Sequence, residues 1–257
     1  MANMIRVTCE GPVVDVALDR PERRNALDRA MLEELRDRLQ EVAAKADVHV
    51  VILHGIGPGF CSGADLQAMA QLHGGDDPSA AFMPSVDLFQ ETVALVATMP
   101  KVTIAALHGF ALGAGFDLSL ACDLRLAASG TQFASSYVRF GLVPDGGATW
   151  ALPRLIGKGP ALALLLTGDP VDTEGAYRLG LIHRRTPAGR HLEVAQQWAR
   201  ELAAGSHPAQ VAIKRLARVD PRLTLFAALK EEREAQRRVV ADREPFKYLQ
   251  AYDKDGA

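Results

Sequence analysis

The 257-residue chain has few cysteines and no recognisable arrangement of metal ligands. Its three cysteines, Cys9, Cys61 and Cys122, are far apart and form no Cys-x-x-Cys pair. An odd, scattered set of this kind favours free thiols in a reducing compartment over a disulfide framework. The seven histidines are also scattered, and none belongs to a His-Glu-x-x-His motif. We therefore predict neither a structural disulfide nor a metal site.

Long apolar runs and an excess of one charge are missing as well. No apolar stretch reaches the length of about 18 residues that a membrane-spanning helix requires. The first residues carry no basic segment followed by an apolar run, so the sequence does not predict a signal peptide. The formal net charge is −2, which gives no electrostatic reason to bind nucleic acid or an anionic membrane. We expect a cytoplasmic protein with neither of these partners.

Hydrophobic residues make up 48% of the chain, which is enough for an ordinary globular core. Alternation at period two predicts strands, and apolar spacing of three to four predicts helices. The predicted strands of the first half are 4–10, 13–19, 48–53, 102–107 and 122–127. The predicted helices there are 28–45, a segment that begins near Asp65, and 82–98. This order of strands, helices and short crossovers predicts an α/β core.

The second half of the sequence has a different character. From about residue 146 it is predicted to be almost entirely helical, with breaks at glycine and proline. We divide the chain into a core of residues 1–195 and a C-terminal helical region of residues 196–257. Before this change, the polar and turn-rich stretch 73–80 predicts a surface loop.

Three stretches place small residues where the backbone must approach a ligand closely. They are GFCSGADL (59–66), HGFALGAGFDLSLACDLRLA (108–127) and TQFASSYVRFGLVPDGGATWALPRLIG (131–157). Two of them follow a predicted strand and open a helix, where the first N–H groups lack partners and carry the positive end of the helix dipole. Two such donors at a thioester carbonyl would stabilise an enolate, by about 3–4 kcal/mol for each donor. A nearby carboxylate would then move the proton.

With two further segments, RPERRNALD (20–28) and LTGDPVDTEGAYRLGLIHRR (166–185), these stretches resemble the motifs of the enoyl-CoA hydratase/isomerase, or crotonase, superfamily. The motifs occur in the same order and cover nearly the whole chain. The resemblance implies a crotonase-like α/β spiral of strand–strand–helix units, followed by a C-terminal helical region that serves oligomerisation and covers the active site. It also implies an acyl-CoA thioester substrate, no cofactor beyond the CoA of that substrate, and a homotrimer or a dimer of trimers.

By position, the resemblance assigns the two oxyanion donors to the backbone N–H groups of Ala64 and Ala114. The two glutamates of the hydratases correspond to Asp117 and Tyr137, so the hydratase pair is incomplete in this chain. A third family position is Asp145, in Val-Pro-Asp-Gly-Gly, where the sequence is most similar to the isomerase branches. A single base that takes a proton from one carbon and returns it to another needs no second carboxylate. We therefore predict an enoyl-CoA isomerase with Asp145 as the proton shuttle.

The surroundings of these candidates can also be predicted. Asp117 lies one helical turn after the second donor and is expected to face the same pocket, as a second acid or to position a water. Tyr137 is expected to donate a hydrogen bond to the substrate. Val143 and Trp150 suggest an apolar setting that raises the pKa of Asp145.

The resemblance places CoA contacts in two parts of the chain, namely Arg24, Ala64, Asp65 and Leu66 near the first loop, and Phe246 and Lys247 near the C-terminus. Arg24 is expected to contact a CoA phosphate. Phe246 and Lys247 are expected to close over the nucleotide, from the same subunit or from a neighbouring one.

Plainer structural roles compete with these assignments. Asp117 near a helix start suits the helix dipole, and Asp145 before two glycines suits a helix cap. Tyr137, Cys61 and His108 suit packing.

Other functions are also open. They are a hydratase that uses both aspartates with water, a thioester hydrolase or dehalogenase with Asp145 as nucleophile, an enzyme acting on a carrier-protein thioester, and a non-catalytic acyl-CoA- or RNA-binding relative.

Overall fold

Two β-sheets covered by helices form the part of the chain that the computed structural model describes, which comprises residues 3–71, 77–218 and 224–255. The strands are β1 (Ile5–Glu10), β2 (Val13–Leu18), β3 (Val50–Gly55), β4 (Val102–Leu107), β5 (Phe110–Leu112), β6 (Leu124–Ala128), β7 (Gln132–Ala134), β8 (Val171–Asp172) and β9 (Arg184–Thr186). The larger sheet has the order β1-β2-β3-β4-β6-β9, and the smaller sheet has the order β5-β7-β8. In the larger sheet β1 is antiparallel to β2, and the other pairs are parallel.

The α-helices are α1 (Arg29–Ala44), α2 (Leu66–Gln71), α3 (Pro78–Thr98), α4 (Ala114–Ala121), α5 (Ala148–Ile156), α6 (Lys158–Thr167), α7 (Thr173–Leu179), α8 (His191–Ala203), α9 (His207–Ala217), α10 (Leu225–Ala241) and α11 (Glu244–Asp255). In the described part of the chain, the first 3-10 helix is Pro21–Arg23 and the second is Ser136–Phe140. Within the described ranges, no helix is long and apolar enough to cross a membrane.

The larger sheet carries a core on each face because its central strands are apolar throughout. All six residues of β3 and all six of β4 are buried, as is usual for parallel strands with helices on both sides. One core contains buried residues of α1, α3 and α4, and the other contains Ala195 and Ala199 of α8. These two layers confirm the predicted α/β core.

Helix α1 forms where the sequence predicts it. The side chain of Asp28 accepts a hydrogen bond from Met31 N at 2.9 Å, which satisfies one of the unpaired N–H groups of the first turn. The buried residues of the helix recur at helical spacing and are Met31, Leu32, Leu35, Leu39 and Val42. This apolar stripe attaches the helix to the core.

The structure differs from the sequence-based expectations at three places. The second half is not almost entirely helical, because β8 and β9 are strands, and strands of two or three residues show no period in a sequence. The loop predicted for 73–80 ends earlier, since α3 begins at Pro78; residues 73–76 lie outside the described residues. The expected boundary at 195/196 falls inside α8, which packs on the sheet and therefore belongs with the core.

Two stacked pairs of histidines connect α8 and α9 to the rest of the molecule. The rings of His49 and His207 lie 4.4 Å apart, and those of His108 and His191 lie 4.2 Å apart. His191 and His207 are the first residues of α8 and α9. Burial, together with the charge that the stacked partner would carry, lowers the pKa of both to about 4.

We expect the free energy of unfolding to fall as the pH is lowered from about 6.5 to about 4. In this window the unfolded chain binds a proton at His191 and at His207, whereas the folded chain does not. The unfolded state therefore binds more protons, and stability is lost as the pH decreases. The double variant His191→Gln and His207→Gln should show a flatter dependence of Tm on pH when unfolding is followed by circular dichroism. An equally steep dependence in this variant would contradict the role of these two residues.

Candidate active site

The first glycine-rich loop is held against β5 by backbone hydrogen bonds. Cys61 N donates to Phe110 O at 3.2 Å, and Leu112 N donates to Cys61 O at 3.0 Å. These bonds position the chain that leads to Ala64, whose N–H donates to no acceptor among the described residues. This N–H is therefore available to a ligand.

Asn25 supports the same loop, and the sequence analysis missed it. Its side chain is fully buried, and Nδ2 lies 3.0 Å from the carbonyl oxygens of Ile56, Gly59 and Phe60. Its Oδ1 accepts a hydrogen bond from Arg20 N at 2.9 Å. The residue belongs to the RPERRNALD segment, but a sequence does not show which distant carbonyl groups an asparagine binds.

The second loop presents another free donor at the start of α4. Gly113, the N-cap, has φ 50° and ψ −122°, a conformation that favours glycine, and it has no side chain to cap the helix. In the described part of the chain, the N–H of Ala114 finds no acceptor. Gly63 of the first loop lies so close that a Cβ atom there would be 3.3 Å from Ala114 N and 2.8 Å from Leu112 O. The two loops thus meet at the predicted pair of donors.

Ala64 and Ala114 line one cavity of about 790 Å³. A space of this size suits a ligand with a substantial apolar part. The apolar side chains in its wall include Leu66, Met69, Phe82, Val86, Phe89 and Leu142.

Asp145 lines the same cavity. Its carbonyl oxygen accepts a hydrogen bond from Gln90 Nε2, and its Oδ1 lies 3.0 Å from the hydroxyl of Tyr137. Burial raises the pKa of Asp145, although the hydrogen bond with Tyr137 opposes the shift. The raised pKa agrees with the expectation. The expected cause, an apolar setting formed by Val143 and Trp150, is wrong, because these side chains are 78% and 54% exposed.

The alternative role of Asp145 as a helix cap does not fit the structure. Helix α5 begins at Ala148, and its N-cap is Gly147. Within the described residues, the hydrogen bond of the Asp145 carboxyl group is with the Tyr137 hydroxyl and not with an N–H of this helix. The carboxyl group of Asp145 therefore has no structural task at this helix start.

Asp117 does not line the cavity, contrary to the expectation. All eight residues of α4 are buried, and Asp117 is 0% exposed. Its Oδ2 accepts a hydrogen bond from Gly146 N at 3.0 Å and lies 3.1 Å from the Tyr137 hydroxyl. Helical spacing predicts that Asp117 and Ala114 share one face of α4. It does not predict that the segment with Tyr137 and Gly146 packs against Asp117 and covers its carboxyl group.

The hydroxyl of Tyr137 is also engaged differently from the expectation. The residue is buried in the second 3-10 helix and borders the cavity, but its hydroxyl contacts the carboxyl groups of Asp117 and Asp145. A phenol has one hydrogen to donate, so the expected hydrogen bond to a substrate would break one of these contacts.

The predicted CoA contacts are distributed over two surfaces. Arg24 and Leu66 are exposed and border the cavity, and the Arg24 guanidinium lies 4.4 Å above the centre of the Phe110 ring. Phe246 and Lys247 lie on α11 and are not among the described residues that border the cavity. A contact between these two residues and CoA stays a prediction.

The side chain of Asp65 is occupied by other groups. It forms ion pairs with Arg23 at 3.0 Å and Arg20 at 3.3 Å, and it accepts hydrogen bonds from Gln67 N and Ala68 N at the start of α2. Burial alone would raise the pKa of Asp65, but the hydrogen bonds from Arg23 and from the backbone outweigh it and lower the pKa. The carboxylate thus joins the first 3-10 helix to α2. The backbone of Asp65 is also engaged, since its N–H donates to Leu27 O at 2.9 Å and its carbonyl oxygen accepts from Met69 N at 3.0 Å.

Cys61 and His108 have structural contacts that agree with packing. Burial raises the pKa of Cys61 to about 12, and its thiol donates to Asn25 O at 3.0 Å. His108 stacks on His191, and its Nε2 lies 3.0 Å from Gly57 O. A neutral, buried thiol is a poor nucleophile.

Comparison with known proteins gives a consistent result. The family model described as enoyl-CoA hydratase/isomerase matches residues 8–254. The probable peroxisomal enoyl-CoA hydratase 1 of Arabidopsis thaliana is 32% identical, over 90% of this chain and 85% of its own. The 1,2-epoxyphenylacetyl-CoA isomerase of Escherichia coli is 35% identical, over 79% of this chain and 77% of its own.

A solved structure agrees over the whole fold. The enoyl-CoA hydratase of Bacillus anthracis superimposes with a TM-score of 0.92 at 32% identity, and the match covers 98% of this chain and 96% of that one. The crotonase fold implied by the sequence motifs is therefore confirmed. Because both the family model and the superposition extend over nearly the entire chain, this protein belongs to the enoyl-CoA hydratase/isomerase, or crotonase, family.

Proposed function

We propose that this protein moves the double bond of an enoyl-CoA thioester, with Asp145 as the single acid–base group. The N–H groups of Ala64 and Ala114 bind the thioester oxygen and stabilise the enolate that forms when Asp145 removes a neighbouring proton. Asp145 then returns this proton to a different carbon. The reaction therefore needs no second carboxylate and causes no net proton change.

One observation carries the proposal: Asp145 borders the cavity with both donors, whereas Asp117 does not. Hydration requires one group to activate water and another to deliver a proton. Tyr137 is a poor substitute for a second carboxylate, because burial and the two neighbouring carboxyl groups raise its pKa. This arrangement favours isomerisation over hydration.

Three other acidic residues border the cavity, Glu22, Asp28 and Asp65. Asp28 and Asp65 form ion pairs with Arg20 at 2.9 and 3.3 Å, and Glu22 is exposed in the first 3-10 helix. Arginine side chains thus already engage the carboxyl groups of Asp28 and Asp65, whereas the side chain of Glu22 faces solvent. These residues are therefore unsuited to remove a proton from carbon.

The test uses the ultraviolet absorbance of the conjugated enoyl thioester. We expect absorbance to rise when the enzyme is added to a 3-enoyl-CoA, because isomerisation produces the conjugated 2-enoyl-CoA. A decrease with a 2-enoyl-CoA, together with hydroxyacyl-CoA found by mass spectrometry, would assign hydration instead. Release of free CoA would assign a hydrolase.

We also propose a homotrimer, alone or paired as a dimer of trimers, in which a neighbouring subunit brings Phe246 and Lys247 to the CoA. Support comes from large apolar side chains that are exposed on α10, including Leu225 at 70% and Phe226 at 84%. Exposed apolar groups of this kind mark protein interfaces. Light scattering after size-exclusion chromatography would measure the number of subunits, and a monomer would contradict the proposal.

A further inference from the structure

Two carboxyl groups compete for one phenolic hydrogen beside the cavity. The hydroxyl oxygen of Tyr137 lies 3.1 Å from Asp117 Oδ2 and 3.0 Å from Asp145 Oδ1. The phenol can donate to one of these oxygens only. The contact with the second carboxyl group then has no hydrogen from the phenol. Two oxygen atoms would face each other with their lone pairs, unless this second carboxyl group is protonated and supplies the hydrogen. The geometry therefore requires one protonated carboxyl group in the cluster.

Burial indicates which carboxyl group carries the proton. Asp117 is 0% exposed, and among the described residues no donor forms a hydrogen bond within 3.5 Å of its buried Oδ1. An ionised carboxylate in this position would lack water on one oxygen, which is costly in a protein interior. Asp145 is only partly buried and borders the open cavity, so its charge can be solvated.

The shifts in pKa agree with this assignment. Burial raises the pKa of Asp117 to about 7, and the charge of Asp145 acts in the same direction, although Tyr137 and the backbone N–H groups of Gly146 and Ala148 oppose the shift. Burial also raises the pKa of Asp145, although the hydrogen bond from Tyr137 opposes this shift. Burial raises the pKa of Tyr137 as well, so the phenol remains neutral and keeps its hydrogen.

We propose that Asp117 is a neutral carboxylic acid in the working enzyme, and that it donates its hydrogen to Tyr137 so that the phenol must donate its own to Asp145. Asp117 is then a positioning residue that acts through Tyr137, and this role rests on the proposed function of Asp145. The phenolic hydrogen binds Oδ1 of Asp145, which holds that carboxylate ionised and leaves Oδ2 to take the substrate proton. During isomerisation the proton moves from carbon to Asp145 and back to carbon, while the Asp117 and Tyr137 hydrogens stay where they are.

The other groups packed around the cluster do not supply a competing charge. From α3, the neighbours are Phe89, which approaches Gly146, and Gln90, which binds the Asp145 carbonyl. Arg139 borders the same cavity but is paired with Asp169 at 2.8 Å. Loss of the Asp117 proton would therefore place a second, unbalanced negative charge beside Asp145.

The proposal has a kinetic consequence on the alkaline side. As the pH rises through the pKa of Asp117, about 7, its carboxylate competes for the phenolic hydrogen, and kcat/KM should fall. The variant Asp117→Asn carries no ionisable group at this position, so its profile should lack this alkaline limb. Its maximal rate should decrease by only about tenfold, since an amide cannot keep both the Gly146 and the Tyr137 contacts. An alkaline limb that persists unchanged in Asp117→Asn would overturn the proposal.

Infrared spectroscopy tests the proton itself without any substrate. A protonated carboxyl group has a carbonyl stretch that an ionised carboxylate lacks. We expect this band in the wild-type enzyme below the Asp117 pKa of about 7, its absence in Asp117→Asn, and a shift of the band in Tyr137→Phe, where the hydrogen bond is lost. Absence of the band in the folded wild-type enzyme would overturn the proposal even if Asp117→Asn fails to fold. Because this measurement is independent of turnover, it separates a failure of this inference from a failure of the isomerase assignment.

Discussion

Asp145→Asn is expected to lower kcat by about 10² to 10⁴, the range that general acid–base catalysis contributes. Asparagine has the same shape as aspartate but cannot accept a proton at neutral pH, so the enolate does not form. The amide can still contact Tyr137, and α5 does not use the residue as a cap. We therefore expect the melting temperature to change little. Absorbance at the conjugated enoyl thioester band measures kcat, and circular dichroism measures the fold.

A matched control is Asp87→Asn on α3, because this aspartate is exposed and does not border the cavity. Like Asp145→Asn, the Asp87→Asn substitution removes one negative charge, but it should leave kcat at the wild-type value. If Asp145→Asn turned over substrate as fast as this control, Asp145 would not be the proton shuttle. A group of the substrate or a water molecule would then have to take the proton.

Ala114→Pro is expected to lower kcat by about 10² to 10³, the loss that follows removal of one oxyanion donor. Ala114 is the first residue of α4, and proline is well tolerated at this position because the N–H there has no partner inside the helix. The substitution therefore removes the donor and leaves the helix in place. The effect should appear in kcat, since the thioester oxygen gains its negative charge only as the enolate forms and not in the bound substrate.

Ala114→Gly provides the comparison, because it changes the side chain but keeps the N–H group. This variant should retain most of the activity, with a small loss of stability from the added backbone freedom. If Ala114→Pro folded with the wild-type melting temperature and remained fully active, the backbone of α4 would not take part in stabilising the enolate. If Ala114→Pro and Ala114→Gly lost the same fraction of kcat, the cause would be altered packing around residue 114 and not the missing N–H group.

Features that depend on nearby residues could be predicted from the sequence. The period-two and helical patterns give the strands from β1 to β4 and the apolar stripe of α1, because each pattern reports which side of one element is buried. The glycine-rich loops were also predictable, since only small residues allow the close approach seen at Gly63. Short strands such as β9 were not, because three residues contain no period and pair only through their neighbours in the sheet.

The sequence by itself determined the α/β core and the two glycine-rich loops, and its resemblance to the crotonase family singled out Asp145 as the leading acid–base candidate. Only the tertiary structure decided which groups the side chains of Asp117, Tyr137 and Asn25 contact. Each of these side chains is defined by groups that are distant in sequence, such as Gly146 for Asp117 and the carbonyl of Phe60 for Asn25. A hydrogen bond depends on distances of a few tenths of an ångström between such groups, and a pattern along the chain contains no information at that scale.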